Sequence, residues 1–143
     1  MRLNLAVTEE SSTAQYGVGA LFGSVKGTVT LDNVVADVAI ARTGAYICKI
    51  GGLVGMSSST ATVSDVAAQV SMPEADAALV GIAHYPSIGG IVGELTGACS
   101  FTHCYAEVDL YTTNWGYNKA YGMGGMVGYI ANGHKVTSFT DCM

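Results

Sequence analysis

One short pattern constrains what this chain can fold into: two small residues, two apolar residues and a glycine, repeated four times. The copies are Gly19–Gly23, Gly51–Gly55, Gly89–Gly93 and Gly124–Gly128, and an apolar residue precedes each of them. Their starts are separated by 32, 38 and 35 residues. Self-similarity at such a period is typical of repeat proteins, in which each repeat packs only on its neighbours.

Alternating apolar and polar residues follow each copy, as a half-buried β-strand requires. Aligning the repeats places residues of one kind in shared columns. One column holds Leu31, Val63, Phe101 and Phe139, and another holds Val34, Val66, Cys104 and Cys142. Stacked repeats would bring the members of a column to the strand spacing of about 4.8 Å, facing one core.

A bend is predicted within each strand segment, because the apolar parity reverses once along it. The reversal falls at Asp32–Asn33 in the first repeat, and Asn and Asp tolerate unusual backbone angles. The equivalent pairs are Ser64–Asp65, Thr102–His103 and Thr140–Asp141. The motif glycines are expected at further corners, where glycine allows positive φ and close backbone approach.

These observations predict an all-β fold, a β-solenoid of four coils of about 35 residues with about three short strands each. The chain is predicted to be one repeat domain, 1–143. Its repeats are 18–49, 50–87, 88–122 and 123–143, with 1–17 supplying the last strand of a preceding or partner coil. Variable connections are expected at Ala41–Ile50, Pro73–Ile88 and Tyr111–Met123.

The two ends of the chain are predicted to be complementary. Met1–Leu5 aligns with Ala106–Leu110, and Met143 aligns with Tyr105. Two interpretations stay open: the chain is a window of a longer array, or protomers stack head to tail, since contacts of that kind that do not close give filaments. The predicted self-association edges are Arg2, Leu3, Leu5, Phe139, Cys142 and Met143.

Charge and hydropathy argue against two classes of partner. Charged residues make up 12% of the chain, its net charge is −5, and its six Lys and Arg are scattered. Nucleic-acid binding depends on clustered cations, so we expect none. No apolar run approaches the roughly 20 residues that cross a bilayer, so we expect no membrane insertion.

No catalytic or metal site is predicted, and no cofactor. His84, His103 and His134 lie in different repeats, in a loop, at a corner and in an insertion, and there is no CxxC pair. Cys104 beside His103 is no nucleophile signal, because adjacent strand residues point to opposite faces. Glu107 and Asp109 are the pattern of a solvated strand face, so a polysaccharide-cleaving enzyme is disfavoured.

The aromatic segment 111–121 is the most site-like part of the sequence. It offers Tyr111, Asn114, Trp115 and Tyr117 as candidate ligand-binding residues, since such side chains suit glycan or protein recognition. The alternative is that these aromatic rings pack on the side of the solenoid.

Gly-Gly-Leu-Val-Gly at 51–55 and Cys-Tyr-Ala at 104–106 together resemble the GLUG-motif repeats of bacterial surface proteins and adhesins. The first repeat departs from that motif at Ala20 and Phe22. The resemblance implies a solenoid-like structural role and no catalytic residues. We therefore expect a non-catalytic structural or adhesive module of an extracellular filament, surface protein or fibre. Its expected partners are itself, flanking repeats of a longer chain, or a glycan or surface protein.

Overall fold

The structure, a computed structural model, describes residues 2–8, 16–42, 47–58, 60–72, 87–110, 122–131 and 137–143. Within these ranges all regular structure is β, and no helix that could span a bilayer is found. The strands are β1 (Arg2–Thr8), β2 (Tyr16–Val18), β3 (Phe22–Val25), β4 (Val29–Arg42), β5 (Ile47–Gly51), β6 (Val54–Ser57), β7 (Ala61–Met72), β8 (Ser87–Gly89), β9 (Val92–Leu95), β10 (Cys99–Thr102), β11 (Tyr105–Leu110), β12 (Gly122–Gly124), β13 (Val127–Ile130) and β14 (Thr137–Thr140).

These strands form three sheets, and every strand pair is parallel. The first sheet has the order β1-β4-β7-β10-β14, with β11 also paired to β7. The second has the order β12-β8-β5-β2 and the third β13-β9-β6-β3. Each repeat thus places one strand in the second sheet, one in the third and one or two in the first, and the next repeat lies beside it. The predicted all-β class is confirmed.

The predicted columns are confirmed by the strand register. Leu31 lies beside Val63, Val63 beside Phe101, and Phe101 beside Phe139. The Phe101 and Phe139 rings stack with centroids 5.0 Å apart and planes 11° apart. Burial of these apolar columns supplies the main driving force for folding. The buried core comprises Val25, Leu31, Val34, Ala36, Leu53, Val54, Ala61, Val63, Val66, Ala68, Ile91, Val92, Leu95, Cys99, Phe101 and Cys104.

The predicted bend is a single left-handed residue in each repeat. The φ angles are 54° at Asn33, 51° at Asp65, 51° at His103 and 49° at Asp141. One residue in this conformation reverses which face the following side chains occupy, so the apolar alternation changes parity there. In β4 and β7 the strand continues through the bend, whereas in the third repeat the bend separates β10 from β11.

Of the two roles predicted for the motif glycines, close backbone approach is confirmed and positive φ is not. Among the described residues only Gly27, which lies outside the motif, is a glycine with positive φ, at 103°. The motif glycines instead let the second and third sheets approach closely. A Cβ atom on Gly93 would lie 2.6 Å from the backbone nitrogen of Ile50, and one on Gly128 would lie 2.5 Å from that of Ile88. Any side chain at these positions would overlap the backbone of the facing sheet.

Three predicted boundaries are wrong. The connections were expected to run up to Ile50, Ile88 and Met123, but β5, β8 and β12 begin before those residues. These short strands contain the polar or small residues Lys49, Ser87 and Gly122, so their sequences lack the apolar alternation that predicts a strand.

The N-terminal register is wrong by two residues. Leu3, not Met1, lies at the position equivalent to Ala106, because Leu3 pairs with Ala36 and both Ala36 and Ala106 pair with Ala68. A shift of two residues leaves the alternation of a strand unchanged, so the pattern alone cannot distinguish the two registers. The alignment of Met143 with Tyr105 is confirmed, since the Met143 N–H donates to Cys104 O at 2.9 Å.

Candidate functional site

The two ends of the sheets carry the residues predicted to mediate self-association. The strands β12, β13 and β14 are the last members of their sheets, and with residues 141–143 we call them the open end. The opposite end consists of β1, β2 and β3. Arg2, Leu3 and Leu5 lie in β1. Phe139 lies in β14, and Cys142 and Met143 follow it.

Apolar side chains of the core columns are exposed at the open end. Phe139 is 47% exposed, whereas its column neighbour Phe101 is fully buried. Ile130 is 37% exposed, and Leu95 beside it is fully buried. Such an end presents both unpaired strand edges and unfilled core, the two features by which a sheet recruits a further strand.

Among the described strands of the first sheet, β14 follows β10 but no strand follows β11, so the end of this sheet is stepped. On one side β11 pairs with β7. On its other side the described residues supply only Met143, whose carbonyl accepts from the Ala106 N–H at 2.8 Å. The edge of β11 beyond Ala106 therefore has no paired strand within the described ranges.

The outward face of the first sheet has a shallow groove that the sequence reading missed. Val35, Ala67 and Tyr105 form an outward apolar column, and Glu107 lines the same groove. The Tyr105 hydroxyl donates to Glu107 Oε2 at 3.1 Å, and this hydrogen bond to the carboxylate raises the pKa of the tyrosine. The sequence did carry a signal for this groove: successive repeats have an apolar residue at a position where the strand alternation predicts a polar one.

Polar side chains lie side by side at the left-handed bends of successive repeats. The Ser64 hydroxyl donates to Asp32 Oδ1 at 2.5 Å. His103 faces a carboxylate in each neighbouring repeat, with Nδ1 3.6 Å from Asp65 Oδ1 and Nε2 3.7 Å from Asp141 Oδ2. The two ring nitrogens point to different partners and so cannot share one metal ion. In the part of the chain that the structure describes, no three His, Cys, Asp or Glu side chains converge as metal ligands.

Cys104 and Cys142 lie beside each other in neighbouring repeats, and Cys99 lies in a different column. Cys99, Cys104 and Cys142 are free, and the first two are buried. Desolvation raises the pKa of both Cys99 and Cys104. The Cys104 Sγ donates to Thr102 O at 3.3 Å, and the Cys142 Sγ donates to Thr140 O at 3.2 Å. A nucleophilic cysteine needs a lowered thiol pKa, so Cys99 and Cys104 have the wrong environment for that role.

A buried ion pair joins the second and third repeats. Lys49 in β5 contacts Glu94 in β9, and both side chains are largely buried. Nothing in the sequence indicated it, because the two residues belong to different columns. Removing one partner of such a pair leaves an uncompensated buried charge, which is strongly destabilising.

Several predicted site residues lie outside the described residues. These are Tyr111, Asn114, Trp115 and Tyr117 of the aromatic segment. His84 and His134, at which no site is predicted, also lie outside the described residues. The ligand-binding role of that segment stays a prediction.

Comparison with known proteins gives one positive result. The family model of the GLUG motif matches residues 84–111, which include β8, β9, β10 and β11. No curated protein and no solved structure matches the chain significantly. The resemblance noted in the sequence is thereby confirmed, and this chain carries a GLUG motif in its third repeat.

Proposed function

We propose that the chain is a β-solenoid of four coils that serves as a non-catalytic structural or adhesive module, extended end to end through its strand edges. Its partner in that extension is a second copy stacked head to tail or the flanking repeats of a longer chain. The observation that carries this proposal is the open end, where unpaired parallel strands coincide with exposed members of the core columns. The proposed location, extracellular or at the cell surface, rests on the resemblance to repeats of bacterial surface proteins.

The strand register supports end-to-end extension. Because all pairs are parallel, an added repeat can continue every column without reversing the chain direction. In a head-to-tail pair of copies, β14 of one copy would lie beside residues 29–32 of the next. Phe139 would then cover Leu31 as it covers Phe101 within one chain. The exposed Phe22 in β3 would likewise meet Val127 in β13, since both belong to one column.

One local rearrangement accompanies this contact. Arg2 pairs with Val35, which makes it equivalent to Tyr105 and hence to Met143. In a head-to-tail pair Arg2 and Met143 would therefore compete for the same place beside β11. Met143 is 81% exposed, and the backbone of Arg2 could replace its two hydrogen bonds to Cys104 and Ala106, so we expect Met143 to be the residue that moves.

Light scattering over a concentration series, with negative-stain microscopy, tests this proposal. We expect mass to grow with concentration and unbranched fibres to form. Phe139→Lys should prevent growth, because it places a charge in the apolar contact. Thr62→Lys is the matched control, since Thr62 is exposed on an internal strand and not at an end. A chain that stays monomeric at every concentration would contradict head-to-tail assembly.

A second function, recognition of a glycan or a surface protein, is favoured by the groove beside Tyr105. An exposed aromatic ring can stack on a sugar, and a carboxylate next to it can accept hydrogen bonds from the sugar hydroxyls. Binding to a glycan array should then be lost in Tyr105→Ala. Loss in Trp115→Ala and retention in Tyr105→Ala would assign recognition to segment 111–121.

A further inference from the structure

The second glycine of the motif has a partner in the second and third repeats. A Cβ atom on Gly52 would lie 2.8 Å from the Cβ of Ala68, and one on Gly90 would lie 2.5 Å from the Cβ of Ala106. Each alanine belongs to the first-sheet strand of the same repeat. The glycine and the alanine therefore pack closely in these two repeats. In the first repeat Ala20 stands at the glycine position and Ala36 at the alanine position, so the contact accepts one methyl group more but leaves little room for a larger side chain.

Gly125 is the equivalent glycine of the fourth repeat, and it has no such partner. A Cβ atom there would meet nothing within 4 Å, and Gly125 is exposed where Gly52 and Gly90 are buried. The position equivalent to Ala106 in this repeat comes directly after Met143. An empty place the size of an alanine side chain thus lies beside Gly125.

The edge of β11 borders this place and determines what can enter it. Met143 donates its N–H to Cys104 O at 2.9 Å and accepts from the Ala106 N–H at 2.8 Å, the hydrogen bonds of a parallel ladder. A strand that continued from this point would run parallel to β11 in the same register. Its first residue would face Gly125. Its third residue would cover Val108, which is only half-buried although its column neighbours Val70 and Val38 are buried.

We infer that the place between Gly125 and β11 binds an extended segment that reads small, polar, apolar, polar, apolar, and runs parallel to β11. This inference rests on the proposed end-to-end extension and specifies which strand completes it. Ala68–Met72 and Ala106–Leu110 have this pattern, and Ala36–Ile40 departs from it only at Ala39. The small residue is the selective element, because a larger one would overlap Gly125 as a side chain on Gly90 would overlap Ala106.

The chain's own β1 is a poor match to this place. Its residue at the selective position is Leu3, by its register with Ala36. Leucine exceeds alanine by an isopropyl group, for which the glycine–alanine contact leaves no room. A segment with alanine at this position should bind at least about 10-fold more tightly than one with leucine. Self-association through β1 is then weak in this chain, and Leu3→Ala should strengthen it.

The first test appends Ala-Glu-Val-Asp-Leu, the sequence of residues 106–110, directly after Met143. We expect urea unfolding to show a folding equilibrium constant raised at least about 10-fold, because the added strand buries apolar surface and pairs with β11. Leu-Glu-Val-Asp-Leu at the same place should give little of this gain. Gly125→Leu should abolish the gain, since its side chain fills the place, whereas Gly125→Ala should keep most of it, because the first repeat has Ala20 at the equivalent position with Ala36.

The outcomes separate this inference from the proposed function. Equal gains from the alanine and leucine extensions would overturn the selectivity, and no gain from either would overturn strand binding at this place. Anisotropy of a labelled Ala-Glu-Val-Asp-Leu peptide with the unextended chain, with Gly125→Leu as control, checks binding in trans. If Leu3→Ala leaves the scattering curves unchanged while Phe139→Lys still prevents assembly, the proposed function stands and the inference fails.

Discussion

The third and fourth repeats share one sequence pattern but bury it to very different extents. Phe101 and Leu95 are covered on both sides by neighbouring repeats, whereas Phe139 and Ile130, in the same two columns, are covered on one side only. The residue types are alike and the environments are not. Burial in a stacked repeat is thus a property of the neighbours, so the same substitution should have unequal effects in the two repeats.

The largest difference is expected between Phe101→Ala and Phe139→Ala. Removing the fully buried Phe101 ring should lower the free energy of unfolding by about 3–5 kcal/mol. Removing the half-exposed Phe139 ring should cost about 1 kcal/mol, because less apolar area returns to water. Urea unfolding at a protein concentration too low for assembly measures both. Equal losses would mean that the fourth repeat is covered in solution.

The buried ion pair offers a second contrast. Lys49→Met should cost about 3 kcal/mol, because it leaves Glu94 buried without its counter-ion. Lys49→Met combined with Glu94→Leu should restore much of that loss, since no unpaired charge remains. Lys26→Met is the matched control at an exposed lysine and should change stability by less than about 0.5 kcal/mol. Additive effects of the two changes would show that the pair is not coupled.

The glycine pair gives the cleanest comparison of the two repeats. Gly90→Ala should cost about 1–3 kcal/mol, since its methyl group would overlap Ala106. Gly125→Ala should stay within about 0.5 kcal/mol of the parent, because nothing lies within 4 Å of the new atom. Thermal unfolding of both variants measures the two losses of stability. A large loss from Gly125→Ala would show that this place is already occupied.

The smallest effect concerns the thiols. Burial raises the pKa of Cys99 and Cys104, so in the folded state these thiols keep their protons to higher pH than in the unfolded state. Their contribution to stability is present below the unfolded pKa of about 8.5 and is lost as the pH rises through the folded pKa. Unfolding curves between pH 7 and 10 should therefore show falling stability, and less so in Cys104→Ala. Site-resolved alkylation should modify Cys142 before Cys104.

Columns and bends could be read from the sequence because the same positions recur in several repeats. Leu31 and Phe101 look unrelated alone, but each stands two residues before the residue that takes the left-handed conformation. The corner residues themselves, Asn33 and Asp65, carry their own conformational preference. Repetition of the same positions therefore predicts which residues lie side by side in neighbouring strands, and the sequence of a single strand does not.

Other features left no readable signal. The register of β1 was missed because Leu3, Leu5 and Val7 alternate identically after a shift of two residues. The Lys49–Glu94 contact joins two columns that no repeat pattern relates. The sequence could not decide between the two roles expected of the motif glycines, because positive φ and close approach both favour glycine and only the facing backbone distinguishes them.

The column of left-handed residues bears on how such a chain can lengthen during evolution. Duplicating a whole repeat carries one such residue along and keeps every column in phase. An insertion of one residue within a strand reverses the alternation in the rest of that strand, whereas one in a connection does not, as the unequal spacings of 32, 38 and 35 residues illustrate. Lineages of this chain should therefore vary freely in repeat number and connection length. The left-handed position itself should accept Asn, Asp, His or Gly and reject β-branched residues, for which that conformation is strained.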